Sequence, residues 1–204
     1  MALWYTINGL SGTPRQEMVD FVLAYFLDKK KVAVATADPK GTDYGKLAND
    51  IIVTHRTKVS AFTEALLYLT CSKEVFDHTD WATHDVVVSR GSFLETFGYQ
   101  NQLSDWKVED IEPIIKLFST HIDGQKPKLS IVLTEDYETA AKRAGDHFEY
   151  IGKKIKYDQD SKRFLQIKEN PVLQAWGIKI ANIEVNGRDP WKVFEEAIKP
   201  LLEG

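Results

Sequence analysis

The residues best suited to chemistry stand just after the first apolar run. Asn8-Gly9-Leu10-Ser11-Gly12-Thr13-Pro14-Arg15-Gln16 joins Ala2–Ile7 to a stretch of helical spacing. Glycines and an arginine at the mouth of a helix offer backbone donors and positive charge, an arrangement that attracts anions. The same run also reads as an ordinary helix start, with Thr13 at N-cap, Pro14 at N1 and Gln16 at N3 as in a capping box. Asp38 follows the second apolar run and either organises its loop or caps a turn. Arg90 closes the third, where an arginine is either a ligand contact at the strand end or a surface or paired residue. His55, His78, His84, His121 and His147 are scattered without metal-ligand spacing, so no metal site is expected. Cys71 lies in an apolar helical stretch and reads as a core thiol.

These groups need elements to position them. Short apolar runs begin near Leu3, Val32, Val86, Leu129 and Ile178. Between them Glu17–Leu27, a short segment through Val53, Val59–Trp81, Ser104–Phe118, Glu138–Ala144, Phe148–Ile167 and Pro190–Leu202 carry helical patterns. Continuous apolar strands alternating with helices indicate a parallel sheet of five strands buried on both faces. Ligands of such sheets bind at the carboxyl ends of the strands, so the loops after the first three are the place to look.

Composition narrows the function. At 204 residues, 43% hydrophobic and 27% charged, the chain reads as a single globular domain over 1–204. No run approaches the roughly 20 apolar residues of a membrane span. A formal charge of −4 gives no general attraction for nucleic acid or an anionic membrane. The single cysteine excludes an internal disulfide and fits a reducing, cytoplasmic setting.

Taken in order, the segments resemble the thymidylate kinases. That family's first strand ends in E-G-x-D-G-[SA]-G-K-[ST], against Asn8–Gln16 here. Its R-E-P-G-G-T is met by Ala37-Asp38-Pro39-Lys40-Gly41-Thr42, and its L-L-F-A-A-D-R by Leu66–Ser72. Its D-R-Y falls on Ser89-Arg90-Gly91, and its Y-Q on Tyr99-Gln100, one residue further on than expected. P-D-L and D-R-x-E are met by Pro127-Lys128-Leu129 and Asp146-His147-Phe148-Glu149. The resemblance implies a P-loop nucleoside-monophosphate-kinase-like three-layer α/β sandwich, homodimeric, that uses ATP and Mg²⁺ to phosphorylate dTMP. By resemblance, Gly9, Ser11, Gly12, Thr13, Pro14, Arg15, Gln16 and Arg143 would face ATP. Asp38, Ser72, Arg90, Tyr99 and Gln100 would face the acceptor nucleotide, and Arg15, Arg90 and Asp38 would serve catalysis.

The departures have physical consequences. Pro14 replaces a loop glycine and removes a backbone donor. Arg15 replaces a lysine with a longer planar fork, and Gln16 replaces the hydroxyl that holds Mg²⁺. Ser89 replaces an acid, and Ser72 an arginine that meets thymine. Lys142 and Arg143 are what a short lid offers, and at helical spacing they read as a solvated face. Phe97, Tyr99 and Trp106 either wall a base pocket or pack in the core. The expectation is a kinase fold with weak or lost activity. The alternative is a non-catalytic nucleotide-binding or dimerising relative, including one that forms a heterodimer with an active kinase.

Overall fold

A computed structural model describes residues 2–55, 60–100, 108–121 and 125–204. Strands β1 (Leu3–Gly9), β2 (Ala33–Ala37), β3 (Val86–Arg90), β4 (Leu129–Thr134) and β5 (Ile180–Glu184) form one sheet in the order β2-β3-β1-β4-β5. Every pairing is parallel, as expected of strands that alternate with helices; the inner strands β1, β3 and β4 are buried on both faces, whereas the edge strands β2 and β5 are only half-buried. Helices α1 (Arg15–Asp28), α2 (Asp43–His55), α3 (Ala61–Asp77), α4 (Phe93–Gln100), α5 (Val108–His121), α6 (Tyr137–Ala144), α7 (Lys154–Gln166) and α8 (Pro171–Ala175) connect the strands. The chain closes with α9 (Pro190–Val193), a short π-helix at Phe194–Ile198 and α10 (Lys199–Glu203). Among the described residues, no helix is long and apolar enough to cross a membrane.

The period of two along β1 divides the interior. Tyr5 and Ile7 join Val86, Val88, Ile131 and Leu133 in a core covered by α1 and the closing helical segment. Trp4 joins Val87 and Val132 in a second core on the other face, with Phe93, Leu94, Phe164 and Leu173. Several helix starts are fixed by side-chain caps. Ser60, Asp136 and Asn170 accept N–H groups from the first turns of α3, α6 and α8, each worth about 1 kcal/mol.

The expected capping box is not what begins α1. Pro14 occupies the N-cap with no side-chain cap, and the helix opens at Arg15. Thr13 is drawn into a turn instead: its N–H and its hydroxyl both donate to the Leu10 carbonyl, at 3.1 and 2.8 Å. Gln16 donates to Asp20 Oδ1 at 2.9 Å, on the exposed side of α1. The helix read over Phe148–Ile167 begins only at Lys154, after a 3₁₀ turn at Gly145–His147. Trp81 lies beyond α3, where its indole donates to the Phe76 carbonyl at 2.8 Å.

Helix α4 is buried around most of its circumference, at Phe93, Leu94, Thr96, Phe97 and Gly98. A helix apolar on most sides is an interior helix. It passes close to α7 at Gly98, where an added Cβ would stand 2.4 Å from the Phe164 ring. Phe164 is itself fully buried and has no room to withdraw. Gly98→Ala should therefore destabilise the fold by about 1–3 kcal/mol through overpacking. Urea unfolding of parent and variant, with unchanged m-value, would measure it.

Candidate functional site

Burial of β1 places two polar side chains, Thr6 and Asn8, where water cannot reach them. Thr6 Oγ1 donates to Ser130 Oγ at 2.9 Å, and Asn8 Nδ2 donates to Thr6 Oγ1 at 2.9 Å and to the Ile131 carbonyl at 3.3 Å. Ser92 Oγ then donates to Asn8 Oδ1 at 2.8 Å and accepts the Leu94 N–H at 3.3 Å. This chain of bonds ties the entry of α4 to the end of β1. One residue beyond Leu94, Glu95 reaches back to the loop. Its Oε1 accepts the Gly9 N–H at 3.1 Å and Arg15 Nη1 at 2.8 Å.

The loop's cation is therefore already bound by a carboxylate. Burial alone would lower the Arg15 pKa, but the Glu95 charge, Tyr99 and the hydrogen bond to Glu95 outweigh it and hold the guanidinium charged. For Glu95, burial is the larger effect and lifts its carboxyl above the usual range, against the pull of Arg15 and the Gly9 N–H.

Asp38 stands across from this pair. Its Oδ2 accepts the Ser72 hydroxyl, and its N–H donates to the Arg90 carbonyl at 2.9 Å. Burial pushes its pKa from 3.8 to about 7; Ser72 opposes the shift and the charge of Glu95 adds to it. Ser89 is absorbed by the core, where its Oγ accepts the Trp4 indole N–H at 2.8 Å and shares a hydrogen with Thr36 at 2.9 Å. Trp4, Asp38, Ser72, Phe76, Ser89 and Phe93 line a void of only about 10 Å³. One water needs about 10–15 Å³, so a nucleobase has no room in this void. Tightly packed rings close it, with Phe76 and Trp81 centroids 4.7 Å apart and Trp4 and Trp81 5.6 Å apart.

Arg143 is not on a solvated face. Its Nη1 donates to the Gly12 carbonyl at 2.9 Å and to Glu135 Oε2 at 2.8 Å, and the Glu135 side chain is 0% exposed. Glu135 Oε1 also accepts the Gly187 N–H at 2.7 Å. Helix α6 thus rests on the loop; a Cβ at Gly12, whose φ is +88°, would lie 2.4 Å from the Ala140 carbonyl oxygen. Lys142 is exposed, as expected.

Arg90 ends β3 beside Ile7 of β1, half-buried, and its side chain enters no hydrogen bond or ion pair among the described residues. Tyr99 packs edge-on against Phe164 at 5.0 Å, and burial holds its hydroxyl well above the ordinary range. Phe97 is core. The Gln100 side chain and Trp106 lie outside the described residues. Cys71 is buried, and burial, with the nearby Asp38 charge, pushes its thiol up to about 12.

Neither side chain that the resemblance sets at a Mg²⁺ position is placed to hold the ion. Gln16 faces solvent and Ser89 is engaged by Trp4 and Thr36. Among the described residues, no group of three His, Cys, Asp or Glu is placed to hold a metal. A cleft of about 550 Å³ runs along the outer edge of β2, lined by Gln16, Thr36, Gly41, Thr42, His78 and Thr79. It reaches neither Arg15 nor Arg90. Glu95 escaped the sequence reading because one acid among 30 carries no signal of its own. Only the approach of α4 to the loop distinguishes it.

A parallel sheet in the order 2-3-1-4-5, with a glycine loop between β1 and α1, defines a nucleoside-monophosphate-kinase-like α/β protein. The comparisons agree and narrow the class. A thymidylate kinase of Carboxydothermus hydrogenoformans is 24% identical, covering 98% of this chain and 96% of that protein. A thymidylate kinase of Caldicellulosiruptor saccharolyticus is 29% identical, covering 96% and 95%. A crystal structure of thymidylate kinase from Ehrlichia chaffeensis superposes with a TM-score of 0.66 at 17% identity, covering 98% of each chain. No family model matches. The chain is a divergent, thymidylate-kinase-like protein in both sequence and fold.

Asp38 supplies a test of the site's electrostatics. A carboxyl with a raised folded-state pKa binds its proton more tightly in the native state. Stability therefore falls as pH rises from the ordinary value of 3.8 through about 7. Asp38→Asn removes that penalty, which is on the order of a few kcal/mol once Asp38 is ionised. Thermal melts should show a gain for the variant that is larger at pH 8 than at pH 5.

Proposed function

We propose that this chain is a thymidylate-kinase-fold protein that binds a phosphorylated ligand at the carboxyl ends of β1–β3, with phosphoryl transfer slow or lost. One observation carries the reading. The side chains at the family's donor, metal and acceptor positions are bonded within the protein: Arg15 to Glu95, Ser89 to Trp4 and Thr36, Ser72 to Asp38. Positioned cationic groups supply much of the catalysis in phosphoryl transfer, and groups already neutralised supply less. If ATP binds, Gly9, Ser11, Gly12 and Arg15 would meet its phosphates, and Arg143 would steady the loop from α6.

Titration calorimetry and a coupled ADP-release assay test this. MgATP should bind far more weakly than to an ordinary thymidylate kinase, with little dTMP-dependent turnover. The triple variant Pro14→Gly, Arg15→Lys and Gln16→Thr should bind MgATP more tightly without fast turnover, since Ser89 and Ser72 remain. It should also melt lower, because glycine frees the unfolded chain that proline restrains. Robust dTMP-dependent turnover by the parent would overturn the reading.

The second reading, a dimerising relative, is favoured by one surface. Leu47, Ile51 and Val53 on α2, with Phe62 and Leu66 on α3, are exposed at 40% or more. Leu47 with Ile51, and Phe62 with Leu66, are four residues apart on their helices and so each pair shares a face, which suits an interface with a second copy or with an active kinase. The lone buried thiol suits a cytoplasmic setting. Light scattering at micromolar concentration should show a dimer, and Leu47→Glu with Leu66→Glu should yield a monomer. A monomeric parent would remove the homodimer.

A further inference from the structure

We propose that Glu95 is an internal anion that occupies the phosphate loop, and that a phosphorylated ligand enters only by displacing it. The inference rests on the reading of the site as a phosphate site and deepens it by naming its regulation. The geometry is that of a bound oxyanion. A single carboxylate oxygen takes the first backbone N–H of the loop at 3.1 Å and the loop's guanidinium at 2.8 Å. An incoming phosphate would need these same two donors. Hydrogen bonds between ionised partners are short and strong, so the two anions compete directly.

Three further features favour exchange over a purely structural ion pair. Glu95 sits on α4, whose start is held by the Ser92–Asn8 bond, so the helix has an anchor of its own that does not depend on the Glu95 side chain. Arg15 keeps about a quarter of its side chain exposed, which leaves the pair open to an external anion. Arg90, half-buried at the end of neighbouring β3, has no side-chain partner among the described residues and adds uncompensated positive charge. With Glu95 displaced, Arg15 and Arg90 together match the charge of a phosphate dianion.

The probe is inorganic pyrophosphate without divalent metal, titrated calorimetrically into the parent, Glu95→Gln, Arg15→Gln and the double variant. Glu95→Gln should bind at least about tenfold more tightly than the parent, the effect of one charge-assisted hydrogen bond released from competition. That gain should vanish in the Arg15→Gln background. Pyrophosphate should also raise the melting temperature of Glu95→Gln more than that of the parent, which reports binding even if the variant folds less stably. Glu95→Asp, which keeps the charge but shortens the reach, should fall between the two. The proposal is overturned if Glu95→Gln binds no better than the parent, if none of the proteins binds pyrophosphate, or if the gain persists without Arg15. That last result would mark a change in net charge alone. Turnover with dTMP tests the slow-kinase reading separately, because it uses different ligands and does not depend on which anion Arg15 holds.

Discussion

Placing β1 between two parallel neighbours leaves the polar groups of Thr6 and Asn8 without solvent, and much of the site follows from how those groups are satisfied. A buried polar group without a partner costs about 1–3 kcal/mol. Asn8 bonds to Thr6, to β4 through the Ile131 carbonyl, and to Ser92 at the mouth of α4. The strand, its neighbour and the following helix are thereby held in one arrangement. That arrangement delivers Glu95 to the Gly9 N–H and to Arg15.

The positions where the family keeps reactive groups have been turned inward. Ser89 gives the Trp4 indole an acceptor, and a strand-end acid there would instead have placed a charge beside four aromatic rings. Ser72 stabilises the Asp38 carboxylate, and the Trp4–Phe76–Trp81 cluster fills the space beneath it. Arg143 ties α6 to the loop through Gly12 and Glu135. These bonds hold the side chains of the site against one another.

Asp38 runs against that trend. Its ionised form is disfavoured by burial and by Glu95, so near neutral pH it weakens the fold that contains it. Perturbed carboxyls of this kind concentrate at functional sites. A buried carboxyl and an ion-paired loop arginine thus lie together at the carboxyl ends of β1–β3, while the larger cleft along β2 holds neither group.

The sequence by itself determined the parallel sheet. Unbroken runs such as Val86–Val88 and Leu129–Leu133 admit few other solutions, and the strands begin within about two residues of where the pattern puts them. It also located the loops that carry Gly9, Asp38 and Arg90, since these lie next to the strands in the chain. Helix α4 was illegible because its eight residues make barely two turns and most of them are buried, and Thr13 left the expected cap for a turn with Leu10. Which partner each charged side chain takes was decided only by tertiary structure. Arg15 and Glu95 are 80 residues apart, Arg143 and Gly12 are 131, and Ser72 and Asp38 are 34. Local pattern reports which face of an element is apolar; it holds no information about which distant charge the folded sheet will bring within hydrogen-bonding reach.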